Sequence, residues 1–241
     1  MLAGNIVQVR PERKALSAAV GPTCCSGREQ RSKTAFAGSA ISLIHAIPFS
    51  MKAALRKQLR VQRRALREPD HRHRSLAAAK AVARLRFFRA GRRVALYLPF
   101  DAESDTAALI AAARRRGVRV FVPVISDRRH GRLRFHPLSG ATVPGEFGIS
   151  VPRLRLTPVS PQWLDLIVIP LVGVDAKGRR LGMGGGYYDR ALAFRGRRRY
   201  WKGPHLVGLA FDCQRTNVKF ADAWDLRLDS LATESGMEHF L

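Results

Sequence analysis

The chain has 241 residues, with 43 Lys+Arg against 18 Asp+Glu for a formal net charge of +25 at pH 7, and 46% of its residues are hydrophobic. That length and apolar content exclude a chain disordered throughout, and one α/β domain of this size buries roughly three quarters of the surface its unfolded form exposes. No window reaches the roughly 20 uninterrupted apolar residues of a membrane-spanning helix, and Cys24, Cys25 and Cys213 imply no disulfide framework and suit a reducing cytoplasm.

The basic balance points to a phosphate-bearing partner: nucleic acid, an anionic small molecule or an anionic surface. Only 8 of the 43 basic residues are Lys, an Arg skew that a GC-rich genome produces without selection for binding. The runs Arg114–Arg116, Arg128–Arg129 and Arg195–Arg199 lack the interleaved aromatic rings of a single-strand stacking platform, so specific nucleic-acid binding is not expected.

Residues 1–50 lack sustained periodicity, and His45 interrupts the one short apolar run that could resemble a signal peptide. They are expected to be a disordered arm or an over-extended start, with residues 51–241 forming a single domain. From Met51 to Arg67, Leu55, Leu59 and Leu66 recur at helical spacing, and Pro69 ends the helix. Its basic residues, Lys52, Arg56, Arg60, Arg63, Arg64 and Arg67, read by themselves as a solvated face. Asp70 caps a second helix, which runs through Leu76, Val82, Leu85 and Phe88 to Gly91.

A strand over Val94–Leu98 follows, then a helix from Ser104 or Asp105 to Gly117 and a strand over Val118–Ile125. This strand-helix-strand unit implies a right-handed crossover and a parallel sheet. Asp127–Gly131 reads as a turn into an alternating strand, Leu133, Phe135 and Leu138, which forms an edge hairpin. A Pro-rich loop (Pro144, Pro152, Pro158, Pro161) leads to a buried strand at Leu166–Ile169, a helix from about Tyr188 to Phe194 and a strand over Leu206–Phe211. His71 and His73 are two apart and would point in different directions on a helix, which argues against a metal site there. Cys213 reads as a small buried apolar residue.

The segment from Asp165 to Arg190 carries the chemistry. An apolar strand ending at Pro170 runs through Asp175 and Gly178, which read as a turn, into a loop containing Gly182, Gly184, Gly185 and Gly186, and then into a helix. Glycines let backbone N–H groups converge on an anion, and a helix N-terminus adds partial positive charge. The spacing matches neither the nucleoside-triphosphatase loop nor the dinucleotide fingerprint. Tyr187, Tyr188 and Asp189 suit a stacked nucleotide and its Mg²⁺.

Arg180-Leu-Gly-Met-Gly-Gly-Gly-Tyr-Tyr-Asp189, after Pro170 and Asp175-x-x-Gly178, resembles the signature of the 5-formyltetrahydrofolate cyclo-ligase (5,10-methenyltetrahydrofolate synthetase) family. The resemblance extends to Lys52-Ala-Ala-Leu-Arg56, Glu103-Ser-Asp105-Thr106, Phe147-Gly-Ile149, Trp224-Asp225 and Thr233-Glu234. It implies an α/β/α three-layer fold with a mostly parallel sheet and an edge hairpin. It also implies ATP- and Mg²⁺-dependent closure of 5-formyltetrahydrofolate to 5,10-methenyltetrahydrofolate in a monomeric cytoplasmic enzyme. By the same resemblance Lys52, Arg56, Arg180, Leu181, Gly182, Met183, Gly184, Gly185, Gly186, Tyr187 and Tyr188 meet ATP, with Arg180 and Tyr187 catalytic. Phe100, Glu103 and Asp105, together with Met183, Gly184, Gly185, Gly186 and Tyr187, meet the folate, and Asp189 and Asp225 associate with Mg²⁺. If those two acids meet as bare carboxylates, replacing either with Asn is expected to leave ligand-free stability unchanged or raised.

Overall fold

The structure is a computed structural model that describes residues 49–145, 148–153, 156–197, 203–222 and 225–240. Of the expected arm over residues 1–50, residues 1–48 fall outside the described residues, as do Cys24, Cys25, Phe147 and Trp224, and Phe49 and Ser50 are helical.

Helix α1 spans Phe49–Ala65, and its Leu55 and Leu59 pack with Val172, Leu181 and Phe220. It begins and ends two residues earlier than the sequence spacing predicts. Helix α2 spans Asp70–Ala83, with Asp70 as its first residue; Pro69 occupies the cap position without a side-chain bond. The expected continuation to Gly91 does not occur. The buried face of α2 is Ser75, Ala78, Ala79 and Val82 while Leu76 is exposed, so small residues let this helix approach the sheet closely. Beyond Ala83 the chain turns, delivering Phe88 to the core, and Gly91 takes its left-handed φ of 76° in a separate turn bonded to Gly117.

Strand β1 (Arg93–Ala95) is shorter than expected, although Leu96 still donates to the Phe121 carbonyl at 2.9 Å. Helix α3 (Ala107–Arg115) begins after the expected Ser104 or Asp105, because Asp105 uses its carboxylate to accept the Ala107 N–H at 2.8 Å. Strands β2 (Arg119–Asp127) and β3 (Arg132–Pro137) form the expected antiparallel edge hairpin. Within the Pro-rich stretch, read from sequence as a loop, β4 (Thr142–Pro144) pairs with β5 (Ser150–Pro152) in a separate two-stranded ribbon. Prolines are tolerated there because each of these strands has a free edge.

Strand β6 (Leu166–Pro170) is buried as predicted. It leads into a second small ribbon, β7 (Gly173–Val174) with β8 (Arg180–Leu181), whose turn is closed by Asp175 accepting the amides of Lys177 and Arg179. Helix α4 (Tyr187–Leu192) then passes into a 3-10 turn over Ala193–Arg197. Strand β9 (His205–Leu209) is followed by a hairpin that the sequence reading missed, β10 (Ser230–Thr233) with β11 (Gly236–His239).

The main sheet is seven-stranded in the order β11-β10-β9-β6-β1-β2-β3. Its inner strands run parallel, and β11 and β3 are antiparallel at the two edges. Successive strand residues serve opposite faces. Val94, Leu96, Leu166 and Val168 pack with α2 and α3, whereas Ala95, Ile167 and Ile169 pack beneath α4, Leu226 and Leu228. The fold is therefore α/β, with a mostly parallel sheet.

Candidate active site

The strand order reverses beside β1. The chain passes from β1 to β2 on one side, then crosses to β6 and continues through β9 to β10 on the other. In open α/β sheets the crevice outside the carboxyl ends of the strands at such a reversal is where ligands bind. A cavity of about 1570 Å³ opens there, lined by Tyr97 and Leu98 after β1 and by Pro170 and Leu171 at the end of β6. This exceeds the 300–1,000 Å³ or so of a typical single-ligand pocket, so there is room for two substrates.

Helix α1 brings Lys52 and Arg56 to one wall, one helical turn apart as expected. Arg56 donates to the Gly182 carbonyl at 2.9 Å. Lys52 is buried, with Nζ 2.5 Å from Asp222 Oδ2 and 3.2 Å from Asp225 Oδ2, and the Asp222 amide donates to the same Asp225 oxygen at 2.8 Å. Asp222 was not foreseen. Its sequence signal was the Asp222-x-x-Asp225 spacing, too short and too common to stand out.

The glycine loop forms the facing wall. Gly184 and Gly186 have φ of 102° and 62°, conformations that L side chains rarely adopt, so these two positions call for glycine. Helix α4 has six residues, too short for a strong dipole, and positive charge comes instead from side chains. Arg190 bonds the Gly185 carbonyl at 2.5 Å and the Gly131 carbonyl at 3.3 Å and lies over the Tyr187 ring, fastening the loop to the β2–β3 turn. Leu181 is buried at the base of the loop, Met183 is exposed at its tip, and both line the cavity.

Arg180 is buried and donates to Asp189 Oδ1 at 2.9 Å and to the Pro170 carbonyl at 3.4 Å, with its guanidinium 5.5 Å from the Tyr188 ring. Burial pushes the hydroxyls of Tyr97 and Tyr188 well above the usual tyrosine range, so both stay neutral donors. Phe100 and Glu103 form the remaining wall, and burial raises the Glu103 carboxyl to about 7 despite the opposing charge of Arg63 and the Phe100 N–H. Asp105 is not brought into this cavity: it is exposed at the start of α3 and borders a smaller cavity of about 500 Å³ beside Phe100 and Glu103.

Six cations and five carboxylates line the main cavity. Asp222 and Asp225 neutralise Lys52, Asp189 neutralises Arg180, and Asp229 neutralises Arg195. Arg56 and Arg190 bind only carbonyl oxygens among the described residues, leaving uncompensated positive charge on both sides of the glycine loop. That arrangement suits a polyanion.

The acids also fit a hard divalent cation of a particular kind. Among the described residues, Asp189, Asp222 and Asp225 each have one oxygen held by protein donors and a second that accepts none. No cluster of three or more His, Cys, Asp or Glu able to hold a metal forms among the described residues. Mg²⁺ characteristically takes one or two carboxylates and completes its shell with water and phosphate oxygens, so these residues fit a cation that arrives with a phosphate.

Sequence comparison decides the lineage of this chain. Residues 49–234 match the 5-formyltetrahydrofolate cyclo-ligase family model. The chain belongs to that family. The 5-formyltetrahydrofolate cyclo-ligase of Escherichia coli K12 is 40% identical over 146 residues, covering 59% of this chain and 78% of that protein. The NMR structure of Aquifex aeolicus 5,10-methenyltetrahydrofolate synthetase superposes with a TM-score of 0.66 at 30% identity, covering 78% of this chain and 92% of that one. A Mycoplasma pneumoniae 5,10-methenyltetrahydrofolate synthetase superposes at 0.60 with 25% identity, covering 76% and 98%. The chain is thus an enzyme of the cyclo-ligase family, and the candidate site residues lie within the matched region.

Two further sequence expectations change on folding. Arg63 is not part of a solvated face: it is 1% exposed, because it pairs with Asp101. Cys213 is only partly buried. Among the described residues no helix is long and apolar enough to cross a membrane.

Proposed function

We propose that this enzyme closes 5-formyltetrahydrofolate to 5,10-methenyltetrahydrofolate at the expense of ATP, with Mg²⁺, and releases ADP and phosphate. The observation that carries the reading is a single cavity at the sheet reversal whose lining combines Arg56 and Arg190 around a glycine loop with Phe100 and Glu103. The first pair suits a triphosphate. The second suits a pterin, whose ring stacks on an aromatic side chain and whose N–H donors pair with a carboxylate.

A formamide carbon is a poor electrophile, so its oxygen must first become a leaving group. In the proposed sequence the formyl oxygen attacks the γ-phosphorus and the bond to the ADP oxygen breaks, giving an iminium phosphate. The folate's own N10 then attacks the formyl carbon, phosphate departs with the C–O bonding electrons, and N10 loses its proton. Lys52, Arg56 and Arg190 orient the phosphates and stabilise charge on the transferring group, a role that positioning and electrostatics fulfil in phosphoryl transfer. Arg180 and Tyr187 border the reacting end, with Arg180 held in place by Asp189. Mg²⁺, held through Asp189 and Asp225 with Asp222 beside them, would supply charge neutralisation on the phosphates. The rings of Tyr97 and Tyr188, with the apolar side chains of the cavity wall, would keep water from the activated carbon. We place this chemistry in the cytoplasm, in a monomer whose domain is residues 51–241.

The test is growth of the methenyltetrahydrofolate absorbance on mixing protein, ATP, Mg²⁺ and 5-formyltetrahydrofolate. Turnover that needs all of them supports the reading; ATP hydrolysis without the chromophore would move the enzyme to another formyl or pterin substrate. RNA binding that survives physiological salt would instead favour a nucleic-acid role for the +25 charge.

A further inference from the structure

We propose that Asp101, gripped by three arginines of α1, is a positioning residue that sets Phe100 and Glu103 in the cavity wall and ties the folate end of the site to the nucleotide-binding helix. The proposal rests on the cyclo-ligase reading for its substrates; its geometry does not.

Asp101 and Ala102 both have left-handed backbone conformations, with φ of 53° and 57°. Two consecutive non-glycine residues in that region persist only where surrounding contacts over-determine them. The contacts are unusual in number. The Asp101 carboxylate is 7% exposed and accepts from Arg60 Nε at 2.9 Å and Arg63 Nη2 at 3.1 Å on Oδ2, with Arg64 on Oδ1. Arg63 Nη2 also donates to the Asp101 carbonyl at 2.7 Å, so side chain and backbone are held together. From the other side His71 Nε2 donates to the Ala102 and Glu103 carbonyls at 3.3 and 3.2 Å.

What this grip holds is the turn that bears the pterin-facing pair. The Glu103 N–H donates to the Phe100 carbonyl at 3.1 Å, and the Phe100 N–H donates to Glu103 Oε2 at 3.2 Å. The turn closes on itself around Asp101 and Ala102, and Glu103 points as it does only while that closure lasts.

The grip also reaches across the crevice. Arg63 Nη1 donates to the Leu171 carbonyl just after β6, so one buried guanidinium touches the loops that follow β1 and β6, the two strands flanking the sheet reversal. Along α1, Lys52, Arg56, Arg60 and Arg63 or Arg64 recur at intervals of three or four, which places them along one helix face. The first two meet the nucleotide end and the later ones meet Asp101. A rigid helix thereby fixes the distance between the two substrates' contacts, and small misplacement at such a site costs large factors in rate.

Asp101→Asn is the informative variant, because Asn has the same shape and tolerates the left-handed region but lacks the charge that gathers three guanidiniums. The expected result is a KM for 5-formyltetrahydrofolate raised about tenfold or more with the KM for ATP within about twofold. Amide hydrogen exchange across residues 99–104 should quicken by about tenfold or more while β6 is unchanged. Ala102→Gly, which relieves the backbone without touching the grip, should leave both KM values within about twofold. Should Asp101→Asn fail to fold, Arg64→Met removes the most exposed of the three partners and should give the same pattern at a few-fold scale. An equal rise in both KM values, or an unchanged folate KM with unchanged exchange, overturns the proposal. If the unaltered protein forms no methenyltetrahydrofolate, the cyclo-ligase reading fails, and the exchange measurement still decides whether Asp101 holds the turn.

Discussion

Arg180 donates through Nη2 to Asp189 Oδ1 at 2.9 Å, and this pair joins the start of the glycine loop to the first turn of α4. Arg180 is 6% exposed, and its Nε is buried without a partner among the described residues, so Asp189 is the main compensation for a buried cation. Asp189 also accepts the N–H of Leu226, the residue after Asp225, at 3.3 Å.

The pairing reverses the stability expectation drawn from two bare carboxylates. Asp189→Asn removes the counter-charge of Arg180 and should lower ligand-free stability by about 1–3 kcal/mol, because a buried charge left unpaired is costly while the partly exposed carboxylate moderates the loss. Mg²⁺-dependent turnover should fall by about a hundredfold or more, the scale of losing one electrostatic partner of a transition state. Thermal unfolding and steady-state rates check both. An unchanged melting temperature would mean that Arg180 finds another acceptor.

Lys52 is held between two acids in the free enzyme, so in the role proposed for it the side chain would exchange a carboxylate for phosphate when the nucleotide enters. Asp222→Asn removes one competitor while Asp225 still holds Lys52, so calorimetry without metal should show ATP binding tightened by about two- to fivefold. Lys52→Met should instead cut kcat/KM for ATP by about a hundredfold. Weaker ATP binding in Asp222→Asn, seen only with Mg²⁺ present, would place that carboxylate on the cation.

If Glu103 meets the pterin as proposed, folate binding should depend on pH. Burial lifts its carboxyl from the ordinary 4.5 to about 7, while Arg63 pulls it down and Asp101 pushes it up. Between those values the folded chain keeps a proton that the unfolded chain has released, so this group weakens the fold as pH rises from 4.5 to 7 and no further above it. Only the ionised form accepts paired N–H donors from a pterin. The KM for 5-formyltetrahydrofolate should therefore fall by about tenfold between pH 6 and 8, and Glu103→Gln should flatten that profile. A profile equally steep in Glu103→Gln would assign the titration elsewhere.

Gly131 is where the β2–β3 turn admits Arg190. It has a φ of 59°, and a Cβ there would lie 1.8 Å from the Arg190 guanidinium. Gly131→Ala displaces that flexible side chain from the Gly131 and Gly185 carbonyls and strains the turn, for about 1–2 kcal/mol of lost stability. Loosening of the glycine loop should raise the KM for ATP several-fold with a smaller change for folate. Equal changes in both would argue that Arg190 does not hold the loop.

Much of this was legible in the chain itself. Hydrophobic periodicity located α1, α3, β2, β6 and β9, because burial on one helix face or both sheet faces writes itself into residue order. The β2–β3 hairpin announced itself through Asp127–Gly131 and alternation, and the glycine loop through spacing too dense in glycine for an ordinary turn. The short helix face of Lys52 and Arg56 could be read because a four-residue interval fixes direction on a helix whatever surrounds it.

Tertiary structure alone decided the rest. Helix α2 ends at Ala83 because Phe88 is needed in the core, which local propensity cannot know. The β10–β11 hairpin extends the sheet through parallel pairing with β9, a long-range contact without a local signature. The ion pairs follow the same logic. Lys52 meets Asp222 from 170 positions away and Arg63 meets Asp101 from 38, so whether an arginine is a solvated charge or a buried fastener depends on which carboxylate the fold carries to it.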